Sequence, residues 1–196
     1  MASVSPGATQ PQTAFDVYDR ELRSIFWNEV YQDGGETLYC GVEFKYRERA
    51  LNIEHVFPVA WMTRHFDCGN HQQCLRASPA FNRMKADMHN MYPSREDVNY
   101  DRGSLPFGVI SEERWDVDGC DFEVTNVVEP RPEVRGDIAR AVLHMAESYE
   151  VDLPADQRRL MEDWHQADPP SRNEHRRNER IAELQGTRNR FIDGTD

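Results

Sequence analysis

Residues 51–58, Leu-Asn-Ile-Glu-His-Val-Phe-Pro, form the stretch from which the rest of the chain is interpreted. Apolar and polar residues alternate along most of it, which predicts a strand, and Pro58 ends the strand because proline cannot donate to a ladder. Glu54 and His55 lie just before that end. Neighbours on a strand point to opposite faces unless a bend turns both toward one cavity. Alone, the pair fits an exposed glutamate and a core histidine better than a metal ligand beside a general base.

Two further blocks follow the strand in order. Residues 87–93 read Asp-Met-His-Asn-Met-Tyr-Pro, and residues 99–103 read Asn-Tyr-Asp-Arg-Gly. With Glu54 and His55 they closely resemble the bacterial endonuclease I family, which comprises non-specific, metal-dependent nucleases of the ββα-metal superfamily, related to HNH enzymes. The resemblance covers residues 15–193 and continues in blocks at residues 135–140, 177–181 and 185–193.

The resemblance implies that Glu54 and Asn90 hold one Mg²⁺, for which Mn²⁺ is a possible substitute. A hard cation of this kind prefers oxygen ligands and keeps several waters. It polarises the phosphate and stabilises the leaving oxygen. His55 is the expected general base, because its imidazole is largely neutral near pH 7, and a backbone carbonyl on its second nitrogen should orient it. His89 is interpreted as structural, since neighbours on a helix point about 100° apart.

One part of the family pattern is absent. The family commonly places an arginine a few residues before the cysteine that Cys74 matches, where it helps to hold the cleaved phosphate. Residues 69–73 contain no arginine. His71 in that stretch and Arg76 after it are the two candidates to replace this arginine. Arg76 is predicted to do so, because its planar guanidinium fork suits a phosphate.

Other arginines are weaker candidates for contacts with nucleic acid. Arg102 is a better candidate for a salt bridge than for a phosphate contact, and Asn99 beside it is expected to hold a loop. A basic run near the C-terminus comprises Arg176, Arg177 and Arg180. Glutamates alternate with these arginines, so the run either follows a DNA backbone or forms a solvated, salt-bridged helix. No base-reading module is visible, and cleavage should therefore be independent of sequence.

Length and composition indicate one domain. The 196 residues are 38% hydrophobic with a mean hydropathy of -0.81, and the apolar stretches are far too short to cross a bilayer. Residues 1–14 are expected to be a disordered tail without a signal peptide, so either a signal was removed or export does not use that route. Residues 15–196 are expected to form one α+β domain, mostly helical, with a small sheet and an embedded ββα-metal motif.

Apolar spacing and turn residues predict the individual elements. Helices are predicted over residues 15–31, 78–89, 135–150, 154–166 and 172–185. Strands are predicted over residues 51–57 and 115–128, a polar loop over 67–75, a loop-rich stretch over 92–108 and a break at 129–132. The 78–89 helix, with Asn90 at its end, is expected to be the helix of the ββα unit.

The net charge of -12 is unusual for a protein that binds DNA. Residues 112–163 carry 15 acidic and 6 basic groups, whereas the segments that carry the motifs are close to neutral. Lys45 and Lys85 are the only lysines among 23 basic residues, and clustered arginines can bind phosphate within an acidic protein. The excess of carboxylates is compatible with an ordinary acidic protein or with adaptation to salt, and salt tolerance is the prediction.

The four cysteines are Cys40, Cys68, Cys74 and Cys120. An even number in a protein of this kind favours disulfides, and three pairings are possible. We predict Cys68–Cys74, which closes a short polar loop, and Cys40–Cys120. The resemblance supports oxidised cysteines without selecting the pairing, and a zinc site is the weaker alternative because no Cys-x-x-Cys pair is present.

These observations predict a monomeric, secreted or periplasmic endonuclease that cuts double- and single-stranded DNA, and RNA, to products with 5′ phosphates. It should contact its substrates through their backbones and should not bind membranes. Two alternatives stay open. One is a catalytically silent relative that binds nucleic acid, and the other is an interaction domain that uses the acidic segment at residues 112–163.

Overall fold

A computed structural model describes residues 10–111 and 117–194 of the chain. In these ranges the helices are α1 Arg20–Ile25, α2 Val59–Phe66, α3 His71–Ala77, α4 Pro79–Lys85, α5 Glu96–Arg102, α6 Arg135–Ser148, α7 Ala155–Ala167, α8 Arg172–Gln185 and α9 Arg190–Asp193. The strands are β1 Gly35–Glu36, β2 Glu43–Phe44, β3 Leu51–His55, β4 Met91–Arg95, β5 Phe122–Val124 and β6 Val128–Pro130. They form antiparallel pairs, β1 with β2, β3 with β4 and β5 with β6. The predicted α+β, mostly helical class is confirmed.

The ribbon of β3 and β4 supports the candidate site. Glu54 on β3 lies opposite Tyr92 on β4, and α5 follows β4 directly and packs against both strands. The first part of the loop predicted over residues 92–108 is therefore wrong. Pro93 is tolerated in β4 because a two-stranded ribbon does not require every backbone N–H. Strand β3, strand β4 and helix α5 therefore pack together as one unit.

The helix predicted over residues 78–89 is shorter than expected and is not the helix that follows the ribbon. It ends with α4, because Asp87 is extended and its carboxylate accepts a hydrogen bond from the His89 amide at 2.9 Å. That bond caps a 3₁₀ turn at Met88–Asn90. Asn90 therefore enters β4 from a tight turn instead of ending a long helix.

Side-chain caps explain two helix starts that differ from the predictions. The helix predicted over residues 15–31 begins later, because Asp19 caps α1 through its carboxylate, and a π-helical turn then continues it to Val30. The loop predicted over residues 67–75 contains the start of α3, since Asn70 and Gln73 form a reciprocal capping box there.

The tail predicted over residues 1–14 is too long at its C-terminal end. The structure describes the chain from residue 10, and Gln12 is buried there. Its Nε2 donates to the Arg83 carbonyl at 2.6 Å, which ties the segment to α4.

The strand predicted over residues 115–128 is a ribbon, β5 with β6, and its predicted start at Trp115 lies outside the described residues. The break predicted at residues 129–132 is also wrong in its first part, because Pro130 is accommodated at the end of β6 in a ribbon with one partner. The helices predicted over residues 135–150, 154–166 and 172–185 correspond to α6, α7 and α8.

Two apolar clusters enclose β3. The larger is built from α2, α4, α6 and α7 and includes Val56 and Phe57, while the smaller includes Leu51 and Met91 and packs against α1. The strand is therefore anchored on both sides of Glu54. No helix of the described ranges is both long enough and apolar enough to cross a membrane.

Both predicted disulfides are present, Cys40–Cys120 and Cys68–Cys74, and none of the four cysteines is free. The alternative of a zinc site built from thiolates is therefore wrong. The longer bridge joins the turn before β2 to the chain just before β5.

Candidate active site

Glu54 is a buried carboxylate at the end of β3 with a relative exposure of 3%. The Tyr39 hydroxyl donates to its Oε1 at 2.7 Å, and Arg102 Nε lies 3.1 Å from the same oxygen. Burial raises the pKa of Glu54, and Arg102 and Tyr39 only partly oppose that effect. The protein thus compensates the negative charge incompletely, which suits a carboxylate that binds a cation.

His55 is oriented by one hydrogen bond to the backbone. Its Nε2 lies 2.9 Å from the Lys85 carbonyl oxygen, and because a carbonyl only accepts, Nε2 carries the proton and Nδ1 is the basic nitrogen. Burial lowers the pKa of His55 to about 4, opposed by that hydrogen bond and assisted by the charges of Lys85 and His71. The imidazole is therefore neutral and able to accept a proton at physiological pH.

Asn90, the predicted second metal ligand, is fully buried. Its Oδ1 accepts from the Phe57 amide at 2.6 Å, and its Nδ2 donates to the Phe57 carbonyl at 3.0 Å. The side chain therefore fastens the turn before β4 to the chain that follows β3. One lone pair of Oδ1 is left for a metal, so the prediction stays a prediction.

Asn99, which was predicted only to hold a loop, is a second amide beside the site. It lies on α5 and donates from Nδ2 to Asn52 Oδ1 at 2.8 Å and to the Ile53 carbonyl at 3.3 Å. Asn52 and Glu54 are two residues apart on β3 and share one face of the strand. The structure records no hydrogen bond from the described residues to Asn99 Oδ1. The order strand, strand, helix was the available signal, because it points to the helix after Pro93.

Arg102 and Arg177, two candidates for nucleic-acid contacts, are in the interior. Arg102 is fully buried against Glu54 and donates from Nη2 to the Val56 carbonyl at 2.8 Å. Arg177 donates to the Tyr31 hydroxyl and to backbone carbonyls next to β4. In this conformation neither guanidinium is available to a phosphate, because both satisfy buried acceptors.

The remaining arginine candidates have no recorded contact with Glu54, His55 or Asn90 in the described part of the chain. Arg176 is exposed and donates to Asn173 Oδ1 at 2.6 Å, and Arg180 donates to the Glu29 carbonyl at 2.7 Å. Arg76 is exposed on α3, five residues and thus about 140° around the helix from His71.

His71, on α3, is the member of the predicted pair that lies near His55. Its Nε2 is 3.1 Å from Lys85 Nζ, and its charge contributes to the lowered pKa of His55. Lys85 was not predicted as a site residue, because nothing in the sequence indicated that its side chain lies next to His71.

His89 lies in a buried polar cluster behind the site. Ligand atoms of Asp87, His89 and His144 all lie within 4.8 Å of one another, a spacing that a metal site would also have. The Asp87 carboxylate, however, already accepts from the His89 amide, from Gln185 and from the Tyr149 hydroxyl, and His144 Nε2 is 3.4 Å away. These contacts use the carboxylate's acceptor positions, while His89 Nδ1 is buried without a hydrogen-bond partner among the described residues.

Comparisons with known proteins identify the family of the chain. A sequence model of the Endonuclease I family matches residues 9–196. An extracellular deoxyribonuclease of Aeromonas hydrophila is 37% identical over 195 residues, covering 85% of this chain and 84% of that protein. A periplasmic deoxyribonuclease of the same organism is 35% identical over 194 residues, with 84% and 81% covered.

A more distant similarity extends to enzymes named for RNA. An extracellular ribonuclease of Bacillus amyloliquefaciens is 31% identical over 160 residues, which cover 72% of this chain and 50% of that protein. Because the family match spans nearly the whole chain and the Aeromonas relatives match it over most of their length, the resemblance is confirmed: the chain belongs to the Endonuclease I family of nucleases.

Proposed function

We propose that this protein is a metal-dependent endonuclease that hydrolyses phosphodiester bonds of DNA and RNA without sequence preference. The observation that carries the proposal is the orientation of His55, whose proton is held on Nε2 by the Lys85 carbonyl and which follows the buried Glu54 in the sequence. The names of the relatives, deoxyribonucleases and a ribonuclease, support both substrates.

The donors near the end of β3 fit a hard divalent cation, Mg²⁺ or Mn²⁺ in its place. Glu54 offers a buried carboxylate whose recorded side-chain contacts all fall on Oε1, and Asn99 or Asn90 offers an amide oxygen. When bound, such a cation neutralises charge on the phosphate and on the leaving 3′ oxygen.

The chain's own residues supply the remaining chemistry. His55 takes a proton at Nδ1 from the water that attacks phosphorus, and the Lys85 carbonyl keeps the ring in the tautomer that makes this possible. Arg102 and Tyr39 hold Glu54 in place. Cleavage on the side of the 3′ oxygen leaves 5′ phosphates.

Two variants test whether Asn99 or Asn90 supplies the amide oxygen that binds the metal. Asn99→Ala should weaken the affinity for Mn²⁺, because Asn99 Oδ1 has no recorded partner in the described chain, and should lower the melting temperature less than Asn90→Ala, because Asn99 is only partly buried. Asn90→Ala should lower the melting temperature by several degrees, because it leaves the buried backbone of Phe57 without partners. Calorimetric Mn²⁺ titration and thermal unfolding of both variants measure these effects. Tighter dependence of Mn²⁺ binding on Asn90 than on Asn99 would reverse the assignment.

A plasmid-nicking assay with and without EDTA tests the proposal as a whole. Supercoiled DNA should be nicked and then linearised with added Mg²⁺, and chelation should stop the reaction. Retention of DNA by the protein without any turnover would instead support a catalytically silent relative or an interaction domain.

Export of the protein is part of the proposal, since relatives are named extracellular and periplasmic. Two disulfides agree with an oxidising compartment. The protein is expected to act as a monomer.

A further inference from the structure

We propose that Lys85, oriented by His71, forms the cationic subsite that holds the phosphate being cleaved, in the role for which the sequence suggested Arg76. The proposal deepens the proposed nuclease function and rests on it. The ligand class is a phosphodiester or terminal phosphate group of a nucleic acid.

The first support is position. Lys85 is the last residue of α4, and its carbonyl accepts the hydrogen bond from His55. Its side chain passes beside Tyr18, with Nζ 5.0 Å from the ring centre, and Tyr18 in turn packs edge-on against His55 at 4.9 Å between centroids. Lys85 therefore orients the His55 ring through its backbone carbonyl and places its ammonium group beside Tyr18, which packs against the same ring.

The second support is the unbalanced charge of this ammonium group. Lys85 has a relative exposure of only 9%, and no carboxylate of the described residues lies within salt-bridge distance of it. Burial lowers the pKa of Lys85, and the nearby Arg23 lowers it further, so the surroundings are cationic. Buried charges are normally paired, and an anion from a substrate would supply the pairing.

The third support is the orientation of Nζ. It lies 3.1 Å from His71 Nε2, and because an ammonium only donates, the imidazole accepts one of its three N–H bonds. Burial lowers the pKa of His71, assisted by Lys85, which keeps the imidazole neutral and able to accept. The other N–H groups stay available for phosphate oxygens. A point charge of this kind binds phosphate without the bidentate geometry of arginine.

Binding measured without metal tests the subsite directly. The probe is a fluorescein-labelled single-stranded DNA oligonucleotide in EDTA, with Kd determined by anisotropy between 0.1 and 0.5 M NaCl. We expect Lys85→Met to weaken binding about tenfold and to reduce the slope of log Kd against log salt by about 0.7, the value of one phosphate contact on a single strand. Lys45→Met, which removes the other, exposed lysine, is the matched control and should change neither quantity.

A second variant separates orientation from charge. His71→Ala keeps the ammonium but removes the group that holds it, so affinity should fall about threefold while the salt slope stays unchanged. Wild-type values of Kd and slope for Lys85→Met, or an equal loss for Lys45→Met, would overturn the proposal. Methionine has a similar length, and replacing a buried charge by an apolar group is often tolerated, which thermal unfolding would verify.

Cleavage measured with Mg²⁺ distinguishes a failure of the phosphate subsite from a failure of the proposed nuclease function. If the wild type cleaves DNA and Lys85→Met cleaves it with the same KM and kcat, the subsite is wrong and the nuclease function stands. If the wild type does not cleave but Lys85→Met loses about 0.7 of the salt slope, the phosphate subsite stands and the proposed function fails. Lys85→Arg should recover more of kcat/KM than Lys85→Met, because it restores the charge.

Discussion

At the scale of single residues, the His55 ring has distinct roles at its two nitrogens. Nε2 is committed to the Lys85 carbonyl at 2.9 Å, so only Nδ1 can take a proton from water. His55→Ala should lower kcat by at least 10², the usual contribution of general-base catalysis, and should leave Mn²⁺ and DNA affinity nearly unchanged. Steady-state cleavage and metal titration measure both. A variant that keeps more than about a tenth of the wild-type kcat would rule out His55 as the base.

Asp137 is a second residue whose surroundings change its pKa. Burial raises its pKa to about 7, reinforced by Glu174 and opposed by Arg140. Because this value lies above that of the unfolded chain, the folded state binds the proton more tightly between pH 4 and 7. The stability associated with protonated Asp137 is complete below about pH 4 and is lost as pH rises through 7.

Asp137→Asn should therefore flatten the dependence of unfolding free energy on pH between 5 and 8 and should stabilise the protein at pH 8, on the order of 2 kcal/mol. Urea unfolding at several pH values measures this. Asp163→Asn, which changes an exposed carboxylate on α7, is the control and should follow the wild type. An unchanged or steeper pH dependence in Asp137→Asn would show that the carboxyl titrates at its ordinary value.

At the scale of elements, α6 begins in close contact with the turn between α7 and α8. The Gly136 amide donates to the Asp168 carboxylate at 2.9 Å, and a Cβ on Gly136 would lie only 2.2 Å from the Asp168 carbonyl oxygen. Arg140, one turn later, donates to the same carbonyl and forms a bidentate pair with Glu174 on α8. The contact joins three helices, which explains a glycine inside a helix.

Gly136→Ala should destabilise the protein by about 2 kcal/mol, because the added methyl group forces the helices apart. Helix propensity alone predicts the opposite sign, a gain of up to about 1 kcal/mol, so the sign of the change is diagnostic. Denaturant unfolding gives the value. A variant as stable as the wild type would mean that the Asp168 turn moves away at little cost.

At the scale of the whole molecule, the charge is divided between regions. The chain carries a net charge of -12, yet the groups around His55 include the cationic side chains of Lys85 and Arg23. DNA should therefore be repelled at long range and attracted near the site. The Debye length falls from about 30 Å at 0.01 M salt to about 3 Å at 1 M, so moderate salt screens the long-range repulsion first.

The initial rate of DNA cleavage should accordingly rise from 0.01 M NaCl to an optimum at several tenths molar, and the melting temperature should rise in parallel as repulsion among carboxylates is relieved. Both are measured on the same samples at fixed Mg²⁺. A rate that falls steadily from the lowest salt, as expected when counterion release dominates, would contradict salt adaptation and leave the nuclease assignment intact.

Features that depend on neighbouring residues could be predicted from the sequence. The strand with Glu54 and His55 follows from alternation, although β3 ends at His55 and not at Phe57, and α6, α7 and α8 follow from helical spacing. The order of the motifs was enough to identify the family. The pairing of the cysteines was chosen correctly from three possibilities, because one pair closes a short segment.

Which distant side chains lie near one another follows from the packing of the folded chain and could not be predicted from the sequence. Asn99 lies next to β3 because α5 packs on the ribbon, and Lys85 faces His71 because α3 and α4 pack together. In the sequence, Arg177 cannot be distinguished from a phosphate-binding arginine. In the structure it is buried, and its guanidinium donates to backbone carbonyls. The physical reason is that local patterns depend on residues a few positions apart, whereas the partner of a charged or amide side chain depends on packing between segments tens of residues apart.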